Sequence, residues 1–338
     1  MYIDSFTHFM PADYAARLSG LGETPAARNI RQRIAGIPVL TDLDLRLEQL
    51  EEFGDDYRQI ISLPAPPLED VGEPELSIEL ARIANDGFAE LVREQERFCG
   101  FVAGLPLNDV DAAIAEAERA CTELGALGVQ VYTSVGGLPW DDDRFIPFFD
   151  AMARLDRTIW VHPSRNAQFA DYPGEARSKY EIWWTYGWPY DTAVFMARLV
   201  FAGLFDRLPG IKILTHHGGG MTPHFAGRVG HGWDQLGART PPDEAEDVAH
   251  DLEGRPLDYF KRFYADTAMF GAAPAIRCAL EFFGPDQMLF ASDSPFDPEK
   301  GPLYIRETIA NLESLELPDG DMKKLIEDNA RRVLGVEV

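Results

Sequence analysis

Cysteine is scarce in this chain: only Cys99, Cys121 and Cys278 occur, and three thiols cannot all pair with one another. None sits in a C-x-x-C spacing, which excludes a disulfide framework and the common cysteine-based zinc sites. Cys99 in an apolar run and Cys121 in a helical one read as small buried hydrophobes, not nucleophiles. Basic residues are also in deficit, with 31 Lys and Arg against 56 Asp and Glu and a formal net charge of -25. Proteins bind phosphate backbones by displacing counterions with Lys and Arg, so nucleic acid is excluded as a partner. No stretch reaches the roughly 18 apolar residues of a membrane span. Asp4 stands where a signal peptide needs a basic start and an apolar core. The expectation is a soluble, cytoplasmic protein with no membrane partner. There is no G-x-G-x-x-G or P-loop pattern, no repeat at a fixed period and no Ser- or Gly-rich linker, so one domain over residues 1–338 is the economical reading.

What remains is an ordinary globular composition, 46% hydrophobic and 11% aromatic, on a chain long enough to bury a sizeable core. Short runs of β-branched, aliphatic and aromatic residues alternate with longer segments of helical period. The runs predict eight strands: Tyr2 to His8, Tyr57 to Leu63, Phe98 to Gly104, Gly128 to Tyr132, Thr158 to His162, Ile211 to His217, Phe263 to Asp266 and Met288 to Asp293. Between them, Leu76, Leu80, Ile83 and Leu91 keep helical phase, and the segment from Asp111 ends at Gly125, a suitable helix stop. Phe145, Phe148, Phe149, Met152 and Leu155 form an apolar stripe that reads as core. Strands separated by helices in this number predict a closed (β/α)8 TIM barrel rather than an open doubly wound sheet. Two longer irregular stretches, residues 20 to 40 and 164 to 190, are expected to form lid loops or a dimer contact.

The opening IDSFTHFMP poses the first chemical question, because in an extended strand Asp4, Phe6 and His8 leave the same face. Of the seven histidines, His8, His162, His216 and His217 fall at the C-terminal end of a predicted strand, whereas His224, His231 and His250 do not. Asp266 and Asp293 end predicted strands seven and eight. In an α/β barrel these ends converge on the mouth where active sites are built. Imidazole and carboxylate suit Zn²⁺ or a similar divalent ion, so His8, His162 and Asp293 are the candidate metal ligands. His217 beside them can move protons, since imidazole titrates nearest neutral pH.

The segments DSFTHFMP, ELGALGVQVYTS, RTIWVHP, YGWPYDTAVFMARLVFAGLFDRLPGIKILTHHGGGMTPHFAGRVGHG, QMLFASDSPF and NARRVLGV, in this order, resemble the amidohydrolase superfamily. Within it they are similar to the branch of 2-amino-3-carboxymuconate 6-semialdehyde decarboxylase and the γ-resorcylate and 5-carboxyvanillate decarboxylases. The resemblance implies that His8 is the second histidine of the family's opening H-x-H pair, His162 the strand-five ligand and Asp293 the strand-eight ligand. It implies that His217 is the catalytic histidine, with Asp293 sharing its proton traffic, and that His216, facing the other way on a strand, is structural. Arg228, eleven residues after His217, matches an arginine that in the semialdehyde decarboxylase reaches across a dimer to a substrate carboxylate. A homodimer, a divalent metal with Zn²⁺ ahead of Mn²⁺, and a small carboxylic acid substrate follow from the same resemblance.

Two departures stand out. Phe6 occupies the first histidine of the opening pair, so water or substrate takes that place, or the metal is held weakly or not at all. Residues 35–40 read AGIPVL where the semialdehyde decarboxylase carries a carboxylate-binding arginine, so its substrate need not be shared. The leading expectation is non-oxidative decarboxylation of a small aromatic or unsaturated acid, with Trp183, Trp184, Trp188, Tyr190 and Phe296 as an apolar wall. The alternatives are metal-dependent hydrolysis or hydration of a small ester, lactone or carbon–carbon bond, and a barrel that has lost its ion and only binds. Retention of His8, His162, His217 and Asp293 weighs against the last, because buried polar groups are costly without use.

Overall fold

Eight parallel strands follow one another in chain order around a ring in a computed structural model that describes residues 1–22, 25–241, 243 and 252–337. They are β1 (Tyr2–His8), β2 (Tyr57–Ser62), β3 (Phe98–Gly104), β4 (Gly128–Tyr132), β5 (Thr158–His162), β6 (Ile213–Thr215), β7 (Tyr264–Asp266) and β8 (Met288–Leu289). Between β8 and β1 the ring is joined by backbone bonds: Ser5 N–H to Phe290 O at 2.9 Å, His8 N–H to Ser294 O at 2.8 Å and Asp293 N–H to Phe6 O at 3.2 Å. The expected (β/α)8 barrel is the fold.

Strands covered on both faces read as unbroken apolar runs, which is why the sequence marks them so plainly. Helices wrap them with one buried stripe each. Pro74–Glu94 starts on a proline and buries Leu80, Ala81, Ala84 and Phe88. Val110–Thr122 is capped by Asp109, whose side chain accepts from Ala112 N at 3.0 Å. Inside the barrel Phe6, Ile60, Val102, Trp160, Leu214 and Leu289 interlock, and Ala330, Val333, Leu334 and Val336 pack with them from the C-terminus.

Trp160 is the largest fully buried side chain there, and its indole donates to Ser5 O at 2.9 Å. Space for it comes from Gly128 on the neighbouring strand, where an added Cβ would lie 2.0 Å from Thr158 O and 2.7 Å from Trp160 Cζ3. Neither can yield without opening the ladder between β4 and β5. Gly128→Ala is therefore expected to cost roughly 1–3 kcal/mol by overpacking, read as a lower urea midpoint with an unchanged m-value.

Three sequence expectations change. Residues 20–40 are not irregular, because Pro25–Gly36 is a helix and Pro38–Leu40 a 3-10 turn. Within 164–190 the helix Ile182–Thr185 and the first turn of Gly187–Phe201 are regular too. In β1 the pairing register shifts between Asp4 and Thr7. That slip takes Asp4 out of step with Phe6 and His8, and its carboxylate is held by Tyr57 Oη, Ser292 Oγ and Ser292 N instead. His250 lies outside the described residues.

Candidate metal centre

His8 and His162 are the last residues of β1 and β5, so their rings rise at the C-terminal mouth. β6 ends earlier than its apolar run suggests, at Thr215, and β8 at Leu289. Beyond β8 the backbone turns to side-chain acceptors, Ala291 N donating to Thr267 Oγ1 at 2.9 Å and Ser292 N to Asp4 Oδ1 at 3.0 Å, whereas beyond β6 His216 N still donates to Val161 O at 3.1 Å and the change comes at Gly218 N, which donates to Asp266 Oδ1 at 3.2 Å. Past these strand ends Asp293 takes a left-handed φ of 65° and His217 one of 57°. Gly218, Gly219 and Gly220 continue that left-handed run, and at Gly220 a Cβ would meet Pro189 O at 2.3 Å.

This turn cancels strand alternation. His216 does not face away from His217: their ring centroids lie 3.9 Å apart, and both rings join the cluster at the mouth. The expectation of opposed side chains fails because the strand has already ended.

Four imidazoles and a carboxylate are thus buried together. Asp293 Oδ1 lies 3.1 Å from His8 Nε2 and 3.3 Å from His216 Nε2. Two overlapping triads have ligand atoms all within 4.8 Å of one another, His8 with His162 and His216, and His216 with His217 and Asp293. The trio expected from sequence, His8, His162 and Asp293, is not itself one of these triads; His216 is common to both.

Outer partners orient the rings. His8 Nδ1 lies 3.0 Å from Leu63 O, His162 Nδ1 2.7 Å from Pro163 O and His217 Nδ1 2.7 Å from Ala268 O. Each carbonyl accepts from a proton on Nδ1 and so turns the Nε2 lone pair into the cluster, the arrangement of metal-ligating histidines. His216 Nδ1 contacts Asp266, whose other oxygen accepts from Gly218 N at 3.2 Å and Ala268 N at 3.1 Å.

Burial pushes the imidazoles of His8 and His162 below their ordinary pKa, and His162 feels His216 and His8 as well. Burial and the adjacent His216 take His217 down to about 4. Burial alone would raise Asp293, but His216 and His8 against it hold its carboxylate well below the usual range. For His216, burial acts downward and Asp266 more than offsets it, raising the ring to about 9. His8, His162 and His217 are thus neutral and Asp293 ionised, the states a divalent cation requires, and a cation bound in the cluster would displace the second proton that His216 holds between Asp266 and Asp293. The buried Nε2 atoms of His216 and His217 have no hydrogen-bond partner among the described residues, so the donor set fits a cation.

A cavity of about 740 Å³ opens beside the cluster, within the range of small-molecule sites. Tyr132 and Trp188 line it, and their rings lie 5.3 and 5.1 Å from that of His162. Trp188 also stacks on His217 at 6.1 Å and an interplanar angle of 9°. Trp183 joins this wall, while Trp184 packs on Trp188 behind it. Phe296 stands 5.3 Å from the His8 ring. Phe6 is fully buried, its ring 3.9 Å from that of His216.

Tyr190 and Arg228 lie elsewhere, together in a separate groove of about 990 Å³. Arg228 is exposed there and does not line the cavity of its own chain. Conversely, no pattern in the sequence points to Arg33. It lies on the helix Pro25–Gly36, lines the cavity and sits 5.4 Å over Phe296; burial draws its guanidinium below its ordinary pKa, opposed by the Asp293 carboxylate. Arg165 and Arg177 line the same cavity, making it cationic despite the acidic chain.

A profile of the family described as Amidohydrolase matches residues 7–336. The γ-resorcylate decarboxylase of Rhodococcus jostii (strain RHA1) is 34% identical over 268 residues, covering 75% of this chain and 77% of that protein. The 2-amino-3-carboxymuconate-6-semialdehyde decarboxylase of Dictyostelium discoideum is 27% identical over 297 residues, 88% of this chain and 77% of its own length. Among solved structures, a dihydroxybenzoic acid decarboxylase from Polaromonas sp. JS666, with bound manganese and the inhibitor 2-nitroresorcinol, superposes with a TM-score of 0.77. It is 27% identical and covers 99% of this chain and 96% of its own.

Proposed function

Because the chain belongs to the amidohydrolase family and is a metal-dependent decarboxylase of it, we propose that it removes carbon dioxide, without an oxidant, from a small aromatic acid bound in the 740 Å³ cavity. The observation that carries this reading is the cluster itself: buried imidazoles and one carboxylate with free donor atoms, beneath a flat aromatic wall and beside three arginines.

In this reading His8, His162 and Asp293 hold the cation. A divalent ion supplies Lewis-acid charge that draws electron density from a substrate oxygen. We assign Zn²⁺, because a histidine-rich set with one carboxylate suits it better than Mn²⁺, which oxygen ligands favour. Trp188 and Phe296 flank the substrate ring and exclude water. His217 Nε2, unprotonated at rest and without a hydrogen-bond partner among the described residues, takes up a proton from the substrate's carboxylic acid or from solvent and passes it to the ring carbon in place of the carboxyl group, with Asp293 as its partner. The ring π electrons form the new C–H bond; the C–C bond then breaks, its electron pair restores the ring and carbon dioxide departs.

Arg33 is assigned to the substrate carboxylate. Loss of a charge-assisted hydrogen bond costs about 1.5–3 kcal/mol. Arg33→Ala should therefore raise KM about 10- to 100-fold with kcat little changed, as measured by initial rates. A homodimer is part of the proposal, supported by Arg228 and the half-exposed Tyr190 and Phe225 in one surface groove. So is a cytoplasmic site, supported by three unpaired cysteines; no described helix is long and apolar enough to cross a membrane.

Incubation with a panel of hydroxybenzoates, carboxylated heteroaromatics and muconate-like acids tests the reaction. The expected result is one equivalent of carbon dioxide per one-carbon-shorter product. A product that retains its carboxyl group and gains water would instead identify a hydrolase or hydratase.

A further inference from the structure

We propose that His216 takes the metal position that Phe6 leaves empty on β1, so that the ligand set of this chain is His8, His162, His216 and Asp293. The inference rests on the metal centre proposed above and concerns how this chain completes it. A phenyl ring offers no lone pair, yet Phe6 is fully buried with its ring 3.9 Å from the His216 imidazole. The two side chains therefore compete for one region, and the imidazole supplies the donor there.

The geometry of His216 is that of a ligand. Nε2 is buried and has no hydrogen-bond partner among the described residues. Its 3.3 Å approach to Asp293 Oδ1 lies off the line a hydrogen bond needs, yet the distance matches an edge of a tetrahedron. Bonds of about 2.0–2.1 Å give edges of about 3.3 Å. The other edge seen here, His8 Nε2 to Asp293 Oδ1, is 3.1 Å. On the far side of the ring, Nδ1 contacts Asp266, whose second oxygen is fixed by two backbone N–H groups. A carboxylate behind a histidine is the usual outer support of a metal ligand, fixing its tautomer and aim. His216 is also the one residue shared by both triads of ligand atoms.

The local sequence explains how an additional ligand enters. Strand β6 stops at Thr215, and the left-handed turn through His217 and the following glycines brings two consecutive side chains to the same side. One can ligate while the other remains free for protons.

The test is zinc affinity by chelator competition on the full chain, together with an anomalous difference map of zinc-soaked wild-type crystals. His216→Ala should weaken zinc binding more than 100-fold. Asp266→Asn should weaken it about 10- to 100-fold, the usual effect of removing an outer partner. Adding Phe6→His to His216→Ala should recover at least tenfold. The map should place zinc within about 2.3 Å of His216 Nε2, a readout that survives even if the variants do not fold. Wild-type affinity in His216→Ala, no recovery in the double variant, or zinc more than about 3 Å from Nε2 would overturn the exchange and leave the metal centre standing. A wild-type protein that binds neither Zn²⁺ nor Mn²⁺ would overturn both.

Discussion

Replacing His217 with asparagine is expected to lower kcat by about 10²- to 10⁴-fold, the range supplied by a positioned proton carrier, while metal content stays at the wild-type level. Asparagine keeps a polar side chain of similar reach and can still meet Ala268 O, the partner that holds Nδ1 at 2.7 Å. It has no ring nitrogen to accept and return a proton at the position now filled by Nε2. Trp188, stacked on the imidazole at 6.1 Å, keeps the rest of the cavity wall in place. Single-turnover rates beside elemental analysis separate the two effects, and wild-type turnover in the variant would mean that another group carries the proton.

Asp293→Asn should behave differently, losing metal and turnover together. Its carboxylate is the one anion against which His8 and His216 both point, at 3.1 and 3.3 Å, and it is almost fully buried. Breaking a buried charged contact costs about 3–5 kcal/mol, which corresponds to roughly 10²- to 10⁴-fold in metal affinity. An amide is neutral and presents one oxygen, so it cannot balance a divalent cation among imidazoles. Chelator competition checks the affinity, and retention of tight binding would move Asp293 out of the ligand set. The contrast between the two variants, one silent in metal content and the other not, separates proton transfer from ligation.

Much of the barrel could be read from the chain before any coordinates. The bounds of β1, β3, β4 and β5 coincide with their apolar runs, because strands buried on both faces announce themselves as continuous stretches. His8 and His162 were legible for the same reason: each is the last residue of such a run. The misjudged ends are those of β6 and β8; past β8 the side chains of Thr267 and Asp4 take over the backbone hydrogen bonds, and past β6 Asp266 does so at Gly218. No local pattern encodes acceptors that arrive from 24 or 288 residues away.

His216 was misjudged through that error, since two-residue alternation applies only while the strand lasts. The three glycines after His217 were the available signal, because a run of that kind permits the left-handed turn seen here. Arg33 stayed hidden on a helix whose sequence, PAARNIRQRIAG, is mostly polar, with a short apolar stripe of Ala27, Ile30 and Ile34 that did not stand out from a loop. The register shift in β1 likewise leaves no mark in the sequence, yet it decides that Asp4 serves the scaffold while His8 serves the site.

The central claim is that turnover depends on one cation seated in the cluster at the barrel mouth. Titration of metal-free protein with Zn²⁺ or Mn²⁺, followed by carbon dioxide release from an active acid, tests it most directly. Activity should rise from near zero and saturate at one equivalent per chain; full turnover without added metal, in protein verified as metal-free, would contradict it.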